Sequence, residues 1–118
     1  MTVIGVLCAC SHSGLVDTGQ QIFGSLIDGK YGFSPSIKHY ACMVDLYARA
    51  GCLEDAFKLI RDIPFEPTKA MGGSLLAGSR DQGNLEFSKF AAWKLVELEP
   101  KNSAYHVVLS NLYAEMGR

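Results

Sequence analysis

The most regular hydrophobic pattern lies in residues 39–64, HYACMVDLYARAGCLEDAFKLIRDIP. Ile37, Tyr40, Ala41, Val44, Tyr47 and Ala48 recur at the i, i+3, i+4, i+7 spacing that forms one apolar stripe along an α-helix. Cys42, Met43, Leu46 and Ala50 give the same helix a second apolar stripe. A helix that is apolar on two sides must be covered on two sides, so a single hairpin partner is not enough. Beyond Gly51 and Cys52 the pattern predicts a second helix that buries Leu53, Ala56, Phe57 and Ile60. Glu54 and Lys58 form a favourable i, i+4 pair on its wet side. Pro64 and Pro67 end it, because proline has no N–H to donate and its ring clashes with the preceding turn.

The same plan recurs along the chain. CSHSGLVD, YARAGCLED, SRDQGNLE and YAEMGR each place a glycine after a helical pattern. These glycines, Gly14, Gly51, Gly83 and Gly117, are spaced 37, 32 and 34 residues apart. Glycine just past a helix adopts the left-handed conformation that turns the chain sharply. A repeat of this length with two helices per unit predicts an all-α fold, a right-handed α-solenoid of stacked helix-turn-helix units.

In chain order, residues 2–12 predict a helix with Val3, Val6, Leu7 and Cys10 on one side. Its partner, over 15–28, is expected to bury Leu15, Gly19, Ile22, Phe23, Leu26 and Ile27. GKYGFSPS, residues 29–36, is a loop. The helix in TKAMGGSLLAGSRDQG is expected to be weak and to fray at its start, since Gly72, Gly73 and Gly78 each cost about 1 kcal/mol against alanine. A strong helix follows over 85–98, with Phe87, Phe90, Ala91, Leu95 and Leu98 on one face and Leu85, Ala92 and Val96 on another. Pro100 stops it, and Asn102 or Ser103 caps a last helix that buries Tyr105, Val108, Leu109 and Leu112. The pattern begins and ends within a unit. The chain is therefore expected to be a fragment whose open ends favour self-association.

Composition narrows the function. No apolar run approaches the ~18 residues needed to cross a bilayer, so no membrane is expected as a partner. MTVIGVLCAC lacks the basic start of a signal peptide. The net charge is −1, and by segment it is −1 for residues 1–36, −1 for 37–68, +1 for 69–102 and 0 for 103–118. No unit is a basic patch, so any grip on nucleic acid by this chain alone should be weak. Cys8, Cys10, Cys42 and Cys52 read as reduced thiols that pack as small hydrophobes. Cys8 and Cys10 stand too close in sequence for a paired zinc site, and a second pair is missing.

Candidate chemistry is sparse. A zinc deaminase needs H-x-E and C-x-x-C, and His12, His39 and His106 all lack a glutamate two residues on. The glycines at 72, 73 and 78 do not make a phosphate loop. His12, beside Gly14 at a helix end, suits the helix dipole. His39 and His106 read as ordinary surface or half-buried residues. The chain is thus expected to be non-catalytic and to need no cofactor.

HYACMVDL, VELEPKN and LSNLYA, in this order, carry a resemblance that spans the chain. It resembles the C-terminal part of plant pentatricopeptide-repeat (PPR) proteins of the PLS class, which act in organellar RNA editing. Residues 1–36 resemble a long-type repeat, shortened at its start, and residues 37–68 a short-type repeat. Residues 69–102 resemble the first extension (E) motif, and residues 103–118 the first helix of a second, truncated one. The family usually has tryptophan where Gly72 stands.

The resemblance implies that each repeat meets one RNA base through two residues. One is the fifth of its first helix and the other is the last of the repeat. Carried over, the pairs are Ile4 with Ser36, Ala41 with Thr68, and Gly73 with Asn102. Ile4, Ala41 and Gly73 offer no side-chain donor or acceptor, so direct base readout is expected to be poor. The implied partners are single-stranded organellar RNA and proteins of the editing machinery, namely a cytidine deaminase domain and multiple organellar editing factors. The implied location is the mitochondrion or chloroplast, with the transit peptide outside this chain. The alternative is a tetratricopeptide-like protein scaffold with no RNA role, which the 34-residue spacing of Gly83 and Gly117 also fits.

Overall fold

The computed structural model describes residues 2–117. Met1 and Arg118, the outer bounds of the first and last expected units, lie outside the described residues. Among the described residues seven helices follow one another: α1 Val3–Ser13, α2 Val16–Ile27, α3 Ile37–Ala50, α4 Leu53–Asp62, α5 Lys69–Asp81, α6 Leu85–Leu98 and α7 Ser103–Met116. They pair as α1/α2, α3/α4 and α5/α6, with α7 on α6. The first helices α1, α3 and α5 stack side by side. The body measures 48 × 26 × 21 Å, longer in one direction because the hairpins are added along a line. This is an α-solenoid of helical hairpins.

Local chemistry sets the helix ends. Thr2 caps α1, its Oγ1 accepting the Gly5 N–H at 3.0 Å. Thr68, Asn84 and Asn102 cap α5, α6 and α7 in the same way. Gly14, Gly51 and Gly83 take φ of 70°, 84° and 68°, the left-handed region where a Cβ would be strained. The residue after each closes a backbone bond to the carbonyl five residues back: Leu15 to Cys10, Cys52 to Tyr47 and Asn84 to Ser79. Gly117 departs from the expected pattern. Its φ is −78°, so it continues the right-handed turn of α7.

The two-sided apolar character of α3 is satisfied, since it packs against α1, α2, α4 and α5. Met43, Val44 and Leu46 are completely buried and form the centre of a core running from Leu7 to Ala91. A separate small core of Ala92, Val96, Leu109 and Leu112 joins α6 to α7. Phe57 is half-buried and stacks against Phe87 and Phe90, which links the second helices of two hairpins. Leu15, Ile27 and Ala50 were expected to be buried but are exposed. Each sits at a helix end, where the neighbouring hairpin no longer covers it.

The glycines of α5 correct another expectation. α5 is an unbroken helix from Lys69 with a formed cap. Gly72 and Gly78 are buried. A Cβ at Gly72 would stand 3.0 Å from Leu95 Cδ2, and one at Gly78 would stand 2.7 Å from the Ala48 carbonyl oxygen. The missing side chains let α5 press onto α6 and α3, so packing offsets the helix-propensity cost. The tryptophan of the resembled family would not fit beside Leu95 without displacing it.

His39 differs from its surface reading as well. It is buried, and its Nδ1 accepts the Ser36 N–H at 2.9 Å, which closes the start of α3. Burial lowers its pKa from the ordinary 6.5. The unfolded chain therefore binds this proton more readily than the folded one, and stability falls as pH drops below about 6.5. Urea midpoints measured from pH 7.5 down to 5.5 should decline, and His39→Asn should flatten the decline. An unchanged slope in that variant would rule out His39 as its source.

Candidate functional site on the first-helix face

The stacked first helices carry a polar ladder centred on Asp45 of α3. Ser11 of α1 donates its hydroxyl to Asp45 Oδ2 at 2.5 Å, and Ser74 of α5 donates to Oδ1 at 3.2 Å. Arg49, one turn along α3, donates from Nε to the same carboxylate at 3.1 Å. One carboxylate thus ties three successive hairpins together. Arg49 also donates to His12 Nδ1 at 3.3 Å. The Arg49 guanidinium therefore stands beside His12 at the C-terminal end of α1.

These contacts have a common offset. Ser11–Asp45 and Cys8–Cys42 span 34 residues, three short of the 37 that separate Gly14 from Gly51. Asp45–Ser74 spans 29, three short of the 32 between Gly51 and Gly83. Each first helix is therefore advanced along its axis relative to the one before. An open cavity of about 250 Å³ lies over this floor, lined by Cys8, Ser11, His12, Ala41, Cys42, Asp45, Ala70 and Ser74. A second, of about 310 Å³, lies on the other side of α3 between α2 and α4, lined by Tyr40, Tyr47, Asp55, Lys58 and Asp62 among others.

The six residues singled out in the sequence fall into two groups. Ile4, Ala41 and Gly73 lie on α1, α3 and α5, half-exposed. Only Ala41 borders the cavity. A Cβ at Gly73 would meet nothing within 4 Å, so this position is open. Ser36, Thr68 and Asn102 are the capping residues of α3, α5 and α7, and their side chains are occupied. Ser36 Oγ meets His39 Nδ1 at 2.9 Å, Thr68 Oγ1 accepts from Met71 N–H, and Asn102 Oδ1 accepts from Ala104 N–H. Asn102 Nδ2 also donates to Glu99. With Lys69, this holds the Glu99 carboxyl below its usual range. Asp45, Ser11 and Ser74 were not singled out in the sequence. A lone acid between two apolar stripes reads as solvated, and the 34- and 29-residue offsets that build the ladder appear only once the helices are set in register.

No group of three or more His, Cys, Asp or Glu side chains gathers to hold a metal among the described residues. No helix there is long and apolar enough to cross a membrane. Towards the C-terminus the surface changes character. Trp93, 43% exposed, donates its Nε1–H to Tyr113 OH at 2.8 Å, and Lys89 Nζ sits 5.9 Å from the Tyr113 ring centre.

Stacked hairpins with a first-helix face define a helical-repeat protein. The E motif pattern matches residues 82–118. The chain is 48% identical over its full length to the pentatricopeptide repeat-containing protein At4g33990 of Arabidopsis thaliana, and covers 14% of that protein. It is 50% identical over 98% of its length to At3g22690, covering 14% of it, and 45% identical over its full length to At3g62890, covering 20%. Both are also pentatricopeptide repeat-containing proteins of Arabidopsis thaliana. The chain spans 14–20% of the length of these relatives. No solved structure matches it. The chain belongs to the plant pentatricopeptide-repeat proteins and carries an E motif.

Proposed function

We propose that this chain is a non-catalytic part of an organellar RNA-binding specificity factor for C-to-U editing or RNA processing. Residues 1–68, a long-type and a short-type repeat, face RNA. Residues 69–118, the E-motif portion, dock protein partners of the editing machinery. The observation that carries this reading is the unbroken face of α1, α3 and α5. Ile4, Ala41 and Gly73 recur there at 37- and 32-residue spacing, each followed by a capping residue one hairpin on. The apolar or absent side chains at these positions give this portion a supporting share of RNA affinity, with sequence choice resting on further repeats. The exposed Trp93–Tyr113 pair supports docking, because aromatic side chains dominate interface energetics. A protein scaffold without RNA is the second reading, favoured by the net charge of −1.

The test fuses the upstream repeats of a relative ahead of residue 1 and measures gel shifts with single-stranded organellar RNA. Sequence-selective binding by the fusion, with weak binding by the chain alone, is the expected result. A fusion without selective binding favours the scaffold. In pull-downs, partner capture should survive deletion of residues 1–36 and be lost in Trp93→Ala. Capture that survives Trp93→Ala would move the docking surface elsewhere.

A further inference from the structure

We propose that Cys8 and Cys42 form a reversible disulfide that staples the first hairpin to the second across the floor of the first-helix face, with a peroxide as oxidant. The two sulfurs are 3.1 Å apart, on helices that stack directly against each other. A disulfide places its sulfurs about 2.05 Å apart, so the gap between the two sulfurs exceeds the bonded distance by about 1 Å. The Ser11–Asp45 hydrogen bond, one turn away, already holds α1 and α3 in the required register. Both thiols are half-buried and line the open 250 Å³ cavity, so a small oxidant can reach them. Cys10, by contrast, is buried in the core, and Cys52 sits at the start of α4.

The Cys8 thiolate attacks one peroxide oxygen, the O–O bond breaks, and the departing hydroxide takes a proton to leave as water. Cys8 is then a sulfenic acid. The Cys42 sulfur attacks the Cys8 sulfur and expels hydroxide, which takes up the Cys42 proton as a second water. Two thiols are oxidised to one disulfide and one peroxide is reduced to two waters. Burial, the hydrogen bond with Cys8 and the nearby Asp45 carboxylate push the Cys42 thiol up to about 12, so it keeps its proton while Cys8 reacts and gives it to the departing hydroxide as the S–S bond forms. The staple would fix the three-residue offset between α1 and α3, and a dithiol reductant would release it.

The test treats the full 118-residue chain with hydrogen peroxide, blocks free thiols, and digests it with trypsin without reduction. Cleavage at Lys30, Lys38, Arg49 and Lys58 leaves Cys8 and Cys10 in one peptide, Cys42 in residues 39–49 and Cys52 in residues 50–58. A link between the first of these and 39–49 is expected. It should persist in Cys10→Ser, vanish in Cys8→Ser and in Cys42→Ser, and reverse with dithiothreitol. Circular dichroism of each variant checks the fold. The linked chain should melt on the order of 10 °C higher than the reduced one. Absence of a linked peptide, a link to residues 50–58, or a link that persists in Cys8→Ser would overturn the proposal.

Discussion

Replacing Gly78 with alanine is expected to destabilise the chain by about 1–2 kcal/mol, although alanine is the better helix former by about 1 kcal/mol. The new Cβ would stand 2.7 Å from the Ala48 carbonyl oxygen and 3.2 Å from its carbon. Backbone atoms in a packed helix cannot swing aside as the end of a flexible side chain can, so α5 must lift from α3. Gly73, five residues earlier on the same helix, provides the control, because a Cβ there meets nothing within 4 Å. Gly73→Ala should gain roughly 0.5–1 kcal/mol. Urea denaturation of the two variants should move the midpoint in opposite directions. Shifts of the same sign would mean that close approach does not govern α5.

Asp45→Ala should cost about 2 kcal/mol. It leaves the Ser11 hydroxyl, on a residue only 4% exposed, without its acceptor, and it releases Ser74 and Arg49 at the same time. A buried hydroxyl deprived of its partner is costly, whereas removing both partners is nearly neutral. The double variant Ser11→Ala/Asp45→Ala should therefore be less destabilised than the sum of the two single changes. Strict additivity would show that the ladder contributes nothing between hairpins.

Much of the fold can be read from local rules. The glycines after α1, α3 and α5 mark turns that only a left-handed residue closes easily, and the double stripe of α3 announces a helix packed on several sides. Helix ends were harder, because burial there depends on where the neighbouring hairpin stops. This is why Leu15 and Ile27 face solvent. The role of Gly72 and Gly78 was hidden because propensity registers only what a missing side chain costs the helix. What the gap admits depends on another part of the chain. His39 was misread for a related reason: its ring serves a backbone N–H three residues earlier, and no apolar periodicity reports that. Counting alone puts Ile4, Ala41 and Gly73 at matching places on α1, α3 and α5. It does not find the ladder around Asp45, since that depends on register between helices.

The three-residue offset between neighbouring first helices has a geometric consequence. At 1.5 Å per residue, each added hairpin climbs by about 4.5 Å while moving sideways by about 9–10 Å. Corresponding positions therefore line up on a diagonal, inclined roughly 25° from a straight crossing of the helices. A polymer lying on this wall would travel like a thread around a screw, rising with every hairpin it passes.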